Sequence, residues 1–171
     1  ANMDGVTCFG SQAGQSSTSN CTYIGKYAGR SNTGTGNVVV GSQALGGTSG
    51  GYNVAVGTNA MESNEGSSCV AIGYGTMGYG SSSASYNVAI GHYSMAAATD
   101  YTRGSNAAVG VQSLQDLTTG SDNSAFGTAA GQKITSGGQN TCIGINAGSK
   151  YQGTQLTTGN NNILIGKEVQ P

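Results

Sequence analysis

The stretch Asn87-Val88-Ala89-Ile90-Gly91-His92-Tyr93-Ser94-Met95 decides the fold, because its pattern recurs ten times along the chain. Each copy centres on a glycine that follows a large apolar residue, and successive glycines stand 15 to 22 residues apart. The repeat glycines are Gly10, Gly25, Gly41, Gly57, Gly73, Gly91, Gly110, Gly127, Gly144 and Gly166. Such a repeat predicts a solenoid in which each copy forms one rung and stacks on its neighbours. We number positions from the repeat glycine, so that Ile90 stands at position −1.

The three residues before each repeat glycine predict a short β-strand. Runs such as Val88-Ala89-Ile90 are too short for a helix and rich in β-branched side chains. Side chains alternate along a strand, so positions −1 and −3 share one face while position −2 points to the other. We predict that position −1 forms the core, since it is always large and apolar: Phe9, Ile24, Val40, Val56, Ile72, Ile90, Val109, Phe126, Ile143 and Ile165. Replacing Ile90 with Asp is then expected to collapse the central rungs by burying an unpaired charge.

The remaining positions of the repeat favour tight turns and close packing. Position −2 is mostly Ala or Cys, and position +3 is small in nine of ten copies. The repeat glycine suits a bend that a Cβ atom would hinder. Position −4 is asparagine in seven of ten copies, and asparagine both tolerates left-handed turns and bonds to neighbouring backbone. Stacked rungs would align these asparagines, which could then form a side-chain ladder; the alternative is that they serve simply as turn formers.

Composition excludes several classes of function. The whole chain, residues 1–171, reads as one repetitive domain with a net charge of −1 and only 8% charged residues. Ordinary globular domains carry roughly 25%. We therefore expect no nucleic-acid partner, which would require a basic surface. We also expect no membrane insertion, because no apolar run approaches the ~18 residues of a membrane span.

The cysteines and carboxylates predict neither a metal site nor an active site. Cys21 and Cys69 occupy the same position three rungs apart, roughly 14 Å, which is beyond the ~7 Å reach of a disulfide. There is no C-x-x-C motif and only one histidine, His92, which we expect to point outward. Glu62 and Glu65 share one short polar loop, and Asp116 and Asp122 lie in neighbouring loop segments where they could converge. We predict that the protein is not an enzyme and uses no cofactor or metal.

The longer connections between rungs carry the candidate recognition residues. Insertions in a solenoid usually bulge from one side, often the side that binds. Tyrosine offers large contact area and a hydroxyl at low entropic cost. Candidates for surface recognition are Tyr79, Tyr86, Tyr101, Arg103 and Tyr151. The alternative is that these tyrosines pack the loops back onto the solenoid.

Core size predicts self-association. A narrow coil buries few side chains, while each ordered residue costs about 1–2 kcal/mol of backbone entropy. The small residues at position −2 and the Leu and Met residues at position +4 suggest a second buried surface. Association of three copies would supply it, although two or four copies would satisfy the same physics.

The repeat Asn-x-Ala-Ile/Val-Gly-x-x-Ala-Leu resembles the repeats of bacteriophage tail-fibre proteins. It is also similar to the head repeats of YadA-type trimeric autotransporter adhesins, as in Ser68-Cys69-Val70-Ala71-Ile72-Gly73. The similarity runs from Val6 to Val169, although the adhesin repeat is shorter and more constant than the steps here. The resemblance implies an all-β homotrimeric fibre at a virion or cell surface, which forms a rigid rod and attaches to bacterial surface glycan or a protein receptor.

Two other functions remain open. An ice-binding β-solenoid would suit the low charge, but position +1 runs from Ser11 through Tyr74 and His92 to Lys167 and is too mixed for a lattice match. A subunit of a self-assembling extracellular filament would share most of the physics of the fibre.

Overall fold

The protein folds as a β-solenoid in a computed structural model that describes residues 4–17, 19–48, 50–79, 83–96, 104–149 and 155–171. Ten strands of three residues occupy the three positions before each repeat glycine, as predicted. They are β1 Thr7–Phe9, β2 Thr22–Ile24, β3 Val38–Val40, β4 Val54–Val56, β5 Val70–Ile72, β6 Val88–Ile90, β7 Ala107–Val109, β8 Ser124–Phe126, β9 Thr141–Ile143 and β10 Ile163–Ile165. We number each rung after its strand. Within the described residues, no helix offers the length and hydropathy that crossing a membrane requires.

The strands form one parallel sheet in chain order, from β1 to β10. The register holds equivalent positions together, so that Ala71 lies between Ala55 and Ala89 in adjacent strands. Each repeat glycine extends the ladder beyond the strand: the Gly73 amide donates to the Val56 carbonyl at 2.8 Å. The chain returns to the same register once per repeat, so each repeat forms one full turn of the coil.

Left-handed backbone closes each turn of the coil. The repeat glycines have φ between +121° and +145°. Positions +2 and +4 also take positive φ, even where the residue is not glycine, as at Asn59 (φ 58°) and Met61 (φ 54°). L-residues rarely adopt this conformation, so the surrounding rungs must hold it in place.

The interior of the coil is filled from two positions whose sizes compensate. Where position −2 is small, as at Ala55, position +4 carries a long side chain such as Met61, and both are buried. In rung 2 the order reverses, with Tyr23 at position −2 and Gly29 at position +4. The Tyr23 ring fills the space that a side chain at Gly29 would need. In rungs 8 and 9 both positions are small, and the buried side chains of Ile134 and Leu156 from the following connections pack beside Gly131 and Gly148 instead.

A ladder of asparagines runs through the interior, one of the two alternatives that the sequence leaves open. The Asn106 carboxamide oxygen accepts from the Asn123 backbone amide at 2.9 Å and from its side-chain amide at 3.1 Å. Asn123 then accepts from Asn140 in the same way, with both distances 3.0 Å. In rung 5 the ladder position holds Cys69, whose thiol donates to the Ala84 carbonyl at 3.3 Å. Buried amides and thiols thus bond the backbone of one rung to the next.

The predicted core position lies on the outer face of the coil, and that prediction is wrong for the single chain. The ten residues at position −1 are all partly or largely exposed: Phe9, Ile24, Val40, Val56, Ile72, Ile90, Val109, Phe126, Ile143 and Ile165. Position −2 points inward instead, and Ala89 is fully buried. The physical reason is shared space, because the side chain at position −2 meets the side chain at position +4 inside the coil, and a rung with the buried Met95 at position +4 suits the small Ala89 at position −2.

Candidate recognition surfaces

The outer face of the ten-stranded sheet is an apolar surface without charge. It consists of positions −3 and −1 of every rung, and we call it the outer sheet face. None of its twenty side chains is charged, and none is buried. Exposure is 76% at Phe9, 40% at Ile24 and 63% at Ile165. Sixteen of the twenty side chains are Val, Ile, Phe or Ala, so the face is largely apolar along the length of the solenoid, and the other four are Thr7, Thr22, Ser124 and Thr141.

An aromatic cluster stands beside this face on rungs 5 and 6. Tyr74 and His92 occupy position +1 of adjacent rungs, and their rings stack with centroids 5.5 Å apart and planes 16° from parallel. Tyr93 meets Tyr74 edge-on, with the ring centroids 5.4 Å apart. Tyr79 completes the group with its ring 5.8 Å from that of Tyr93. We call these four residues the aromatic cluster.

A glycine in the preceding rung makes room for the cluster. Gly75 stands at position +2 of rung 5, one rung before Tyr93. A Cβ atom at Gly75 would lie 2.5 Å from the Tyr93 ring, so any larger residue would displace that ring. The arrangement of the cluster therefore depends on Gly75 as well as on the four aromatic residues themselves.

The phenolic hydroxyls of the cluster lie close enough to interact with one another. The Tyr79 and Tyr93 oxygens lie 3.4 Å apart. Hydrogen bonding to Tyr93 raises the pKa of Tyr74, and hydrogen bonding to Tyr79 raises the pKa of Tyr93. The cluster thus combines a pair of stacked rings with an edge of phenolic hydroxyls. That combination can contact the apolar face of a ring-shaped ligand and hydrogen-bond its polar rim.

The predicted recognition residues fall into two groups. Tyr79 belongs to the aromatic cluster, and Tyr86 stands alone with 70% of its surface exposed. Tyr101, Arg103 and Tyr151 lie outside the described residues. Sequence reasoning missed Tyr74, Tyr93 and the stacking role of His92. The available signal was the pair of aromatic residues at position +1 of two consecutive rungs, which a stacked solenoid brings into contact.

The remaining charged residues and the cysteines have structural roles. Asp116 forms an ion pair with Lys133 at 2.8 Å across adjacent rungs. All four cysteines are free thiols, and burial raises the pKa of Cys142 to about 11. In the part of the chain that the structure describes, no three His, Cys, Asp or Glu side chains group closely enough to hold a metal ion.

Comparison with known proteins finds no relative. No protein-family model matches the chain, and neither a curated protein nor a solved structure matches it. The outer sheet face and the aromatic cluster are the two surfaces that bear on function.

Proposed function

We propose that this chain is a structural segment of a fibre at a virion or cell surface, in which three copies associate through the outer sheet face. The observation that carries the proposal is the exposure of twenty uncharged side chains along one flat face. Soluble monomers rarely expose a contiguous apolar surface of this kind unless it binds something. The resemblance of the repeats to phage tail fibres and trimeric adhesins supports a third copy rather than a simple pair.

The size of the face suits self-association. Ten rungs at about 4.8 Å give a length of ~48 Å, and two columns of side chains cover on the order of 500 Å². This is near the upper end of the roughly 300–600 Å² seen for the largest patch on a monomer. Position +1 adds Val111 and Ile145 along one side, both exposed. The enlarged surface stays below the ~800 Å² per partner of a standard-size interface, so we expect the assembly to depend on protein concentration.

Absolute mass in solution tests the assembly. The chain has a mass of 16.9 kDa, and light scattering should give three times that value. Ile90→Asp places a charge on the outer sheet face, so the variant should keep its β-sheet circular dichroism and dissociate to monomer. Thr48→Asp adds the same charge at an exposed site in the connection after β3 and should remain assembled. A wild-type monomer at all concentrations, or an Ile90→Asp variant that assembles normally, would contradict the proposal.

The aromatic cluster is the part of the fibre that we assign to recognition of bacterial surface glycan. Sugar rings present an apolar C–H face and a rim of hydroxyls, and the stacked Tyr74 and His92 rings with the nearby phenols offer the complementary groups. Tyr74→Ser should therefore abolish binding of the assembled protein to a surface polysaccharide that the wild type retains. Tyr52→Ser removes a tyrosine outside the cluster that is more exposed, 69% against 44% at Tyr74, and should leave binding unchanged. Equal losses in the two variants would rule out the cluster as the site.

The same mass measurement separates the alternatives. A stable monomer with a cooperative thermal unfolding transition would favour ice binding, since the side chains on the outer sheet face are regularly spaced. Measurement of thermal hysteresis would then test that function. Open-ended polymers would favour a filament subunit.

A further inference from the structure

A polar slot of 440 Å³ lies on the turn side of rungs 2 to 4, and the carboxylate of its lining residue Glu62 interacts electrostatically with Tyr74 of the aromatic cluster. Its walls and floor come from three successive turns of the coil. The lining residues are Tyr27, Arg30, Gln43, Gly46, Gly47, Glu62, Ser63 and Glu65. The volume lies within the ~300–1,000 Å³ typical of small-molecule sites.

A pair of glycines creates the slot. Arg30, Gly46 and Glu62 occupy position +5 of rungs 2, 3 and 4, so the middle rung contributes no side chain where its neighbours each contribute a charged one. The Cα atoms of the two outer residues are then roughly 10 Å apart. A Cβ atom at Gly46 would lie 3.0 Å from the Glu62 carbonyl oxygen, so a larger residue would crowd the turn as well as fill the gap.

The two walls of the slot carry opposite charges that do not neutralise each other. Arg30 lines one side, and Glu62 and Glu65 line the other. Among the described residues, the one ion pair within 4.0 Å joins Lys133 to Asp116 and lies several rungs away. The charged walls therefore remain open to a ligand, with the Gln43 carboxamide between them.

The Tyr27 ring holds the cationic wall in place. The Arg30 guanidinium carbon lies 5.4 Å from the ring centroid, and the Lys26 ammonium lies 4.8 Å from it. Cations within ~6 Å of an aromatic ring are attracted to its face. Arg30 thus loses less conformational freedom when it engages a ligand than a free surface arginine would.

We propose that this slot binds a small zwitterion, a molecule that carries one ammonium and one carboxylate group, as an amino acid does. The carboxylate would lie beside Arg30, and the ammonium would lie beside Glu62 and Glu65. A purely anionic ligand would meet the two carboxylates, and a purely cationic ligand would meet Arg30 and Lys26. A dipolar ligand satisfies both walls, which is why opposite charges across a gap favour it over a neutral sugar.

Calorimetric titration of the intact chain with 4-aminobutyrate tests the slot. Butyrate and butylamine each carry one of its two charged groups and should bind at least about tenfold more weakly, since each loses one set of charge-assisted bonds. Glucose is the neutral comparison. No binding of 4-aminobutyrate at millimolar concentration, or equal binding of butyrate or glucose, would overturn the proposal.

Three variants test whether the charged side chains of the slot bind the ligand. Arg30→Gln should lower the affinity for 4-aminobutyrate by about tenfold or more, as should Glu62→Gln. Lys133→Gln makes the same change in net charge as Arg30→Gln at a distant rung, and its affinity should equal that of the wild type. Equal affinities in Arg30→Gln and Lys133→Gln would show that the ligand lies elsewhere. Because the slot is separate from the outer sheet face, this result stands whether or not the chain forms trimers.

Discussion

The repeat glycine fixes the spacing of the rungs. At Gly73, φ is +133°, and an added Cβ atom would lie 2.7 Å from the Gly91 carbonyl oxygen of the next rung. Both the backbone conformation and the available space therefore exclude a side chain. The same contact recurs from rung to rung, so side chains are excluded along the column of repeat glycines from Gly10 to Gly144.

Substitution of a repeat glycine should be far more damaging than substitution of a glycine that has room for a side chain. We expect Gly73→Ala to lower the free energy of unfolding by about 2–4 kcal/mol, because it combines backbone strain with a backbone clash. Gly47 is the matched control, since its φ is not left-handed and an added Cβ atom would lie 3.5 Å from the nearest atom. Urea denaturation should place Gly47→Ala within about 0.5 kcal/mol of the wild type. Similar losses in both variants would show that close stacking does not limit stability.

The residue pattern located the strands, the bends and the asparagine ladder, but it assigned the wrong face to the interior. Alternation shows that Ala89 and Ile90 point to opposite faces and does not say which face is inside. Hydrophobicity alone favours burial of Ile90. The deciding quantity is the width of the coil, which depends on how Asn87, Ala89 and Met95 fill the cross-section together. The width therefore follows from the residues at several repeat positions taken together, and no single position determines it.

At the scale of the element, a rung can fill its interior with one large side chain from either of two positions. Tyr23 performs this role in rung 2, and its hydroxyl donates to the Asn32 side-chain oxygen at 2.9 Å. Met61 performs it in rung 4 from the other side of the same space. Both repeat positions can be recognised in the sequence. That the side-chain sizes at positions −2 and +4 compensate can be inferred only when the two positions are known to face each other.

Exchanging the two residues of rung 2 tests this compensation. Tyr23→Ala should cost about 3–5 kcal/mol through the cavity it leaves. Gly29→Met alone should also destabilise, because its side chain meets the Tyr23 ring. The double variant recreates the Ala and Met arrangement of rung 4, where Met61 has φ 54° and Gly29 has φ 59°. We expect it to recover about 2 kcal/mol relative to the sum of the single changes, as measured by denaturation in a double-mutant cycle.

The control for this cycle combines Tyr23→Ala with Gly131→Met in rung 8. Gly131 also stands at position +4, but a Cβ atom there would meet Leu114 and Ile134 instead of Tyr23. The effects of these two changes should add, since well-separated sites do not couple. Additivity in both cycles would mean that the interior of a rung is not filled by a compensating pair.

At the scale of the whole molecule, the structure separates the forces that hold the coil together from those that join copies. Backbone ladders, asparagine bonds and small interior side chains stabilise each rung against its neighbours, as in other repeat proteins. The large apolar side chains lie on the outer sheet face and remain available for association. Core size predicts self-association, but the sequence does not show which face would mediate it, because that depends on which face of each strand points into the coil.

The thiol of Cys142 makes stability depend on alkaline pH. Burial raises its pKa from 9.0 to about 11 in the folded chain. A raised pKa favours the protonated form in the folded state, so this contribution to stability is fully present below pH 9 and is lost as the pH rises to about 11. We expect the free energy of unfolding to fall across that interval. Cys142→Ala should reduce the slope, since alanine occupies the same position in five other rungs and does not ionise. Urea denaturation at pH 7, 9, 10 and 11 compares the two chains, and identical slopes would show that Cys142 does not govern the alkaline transition.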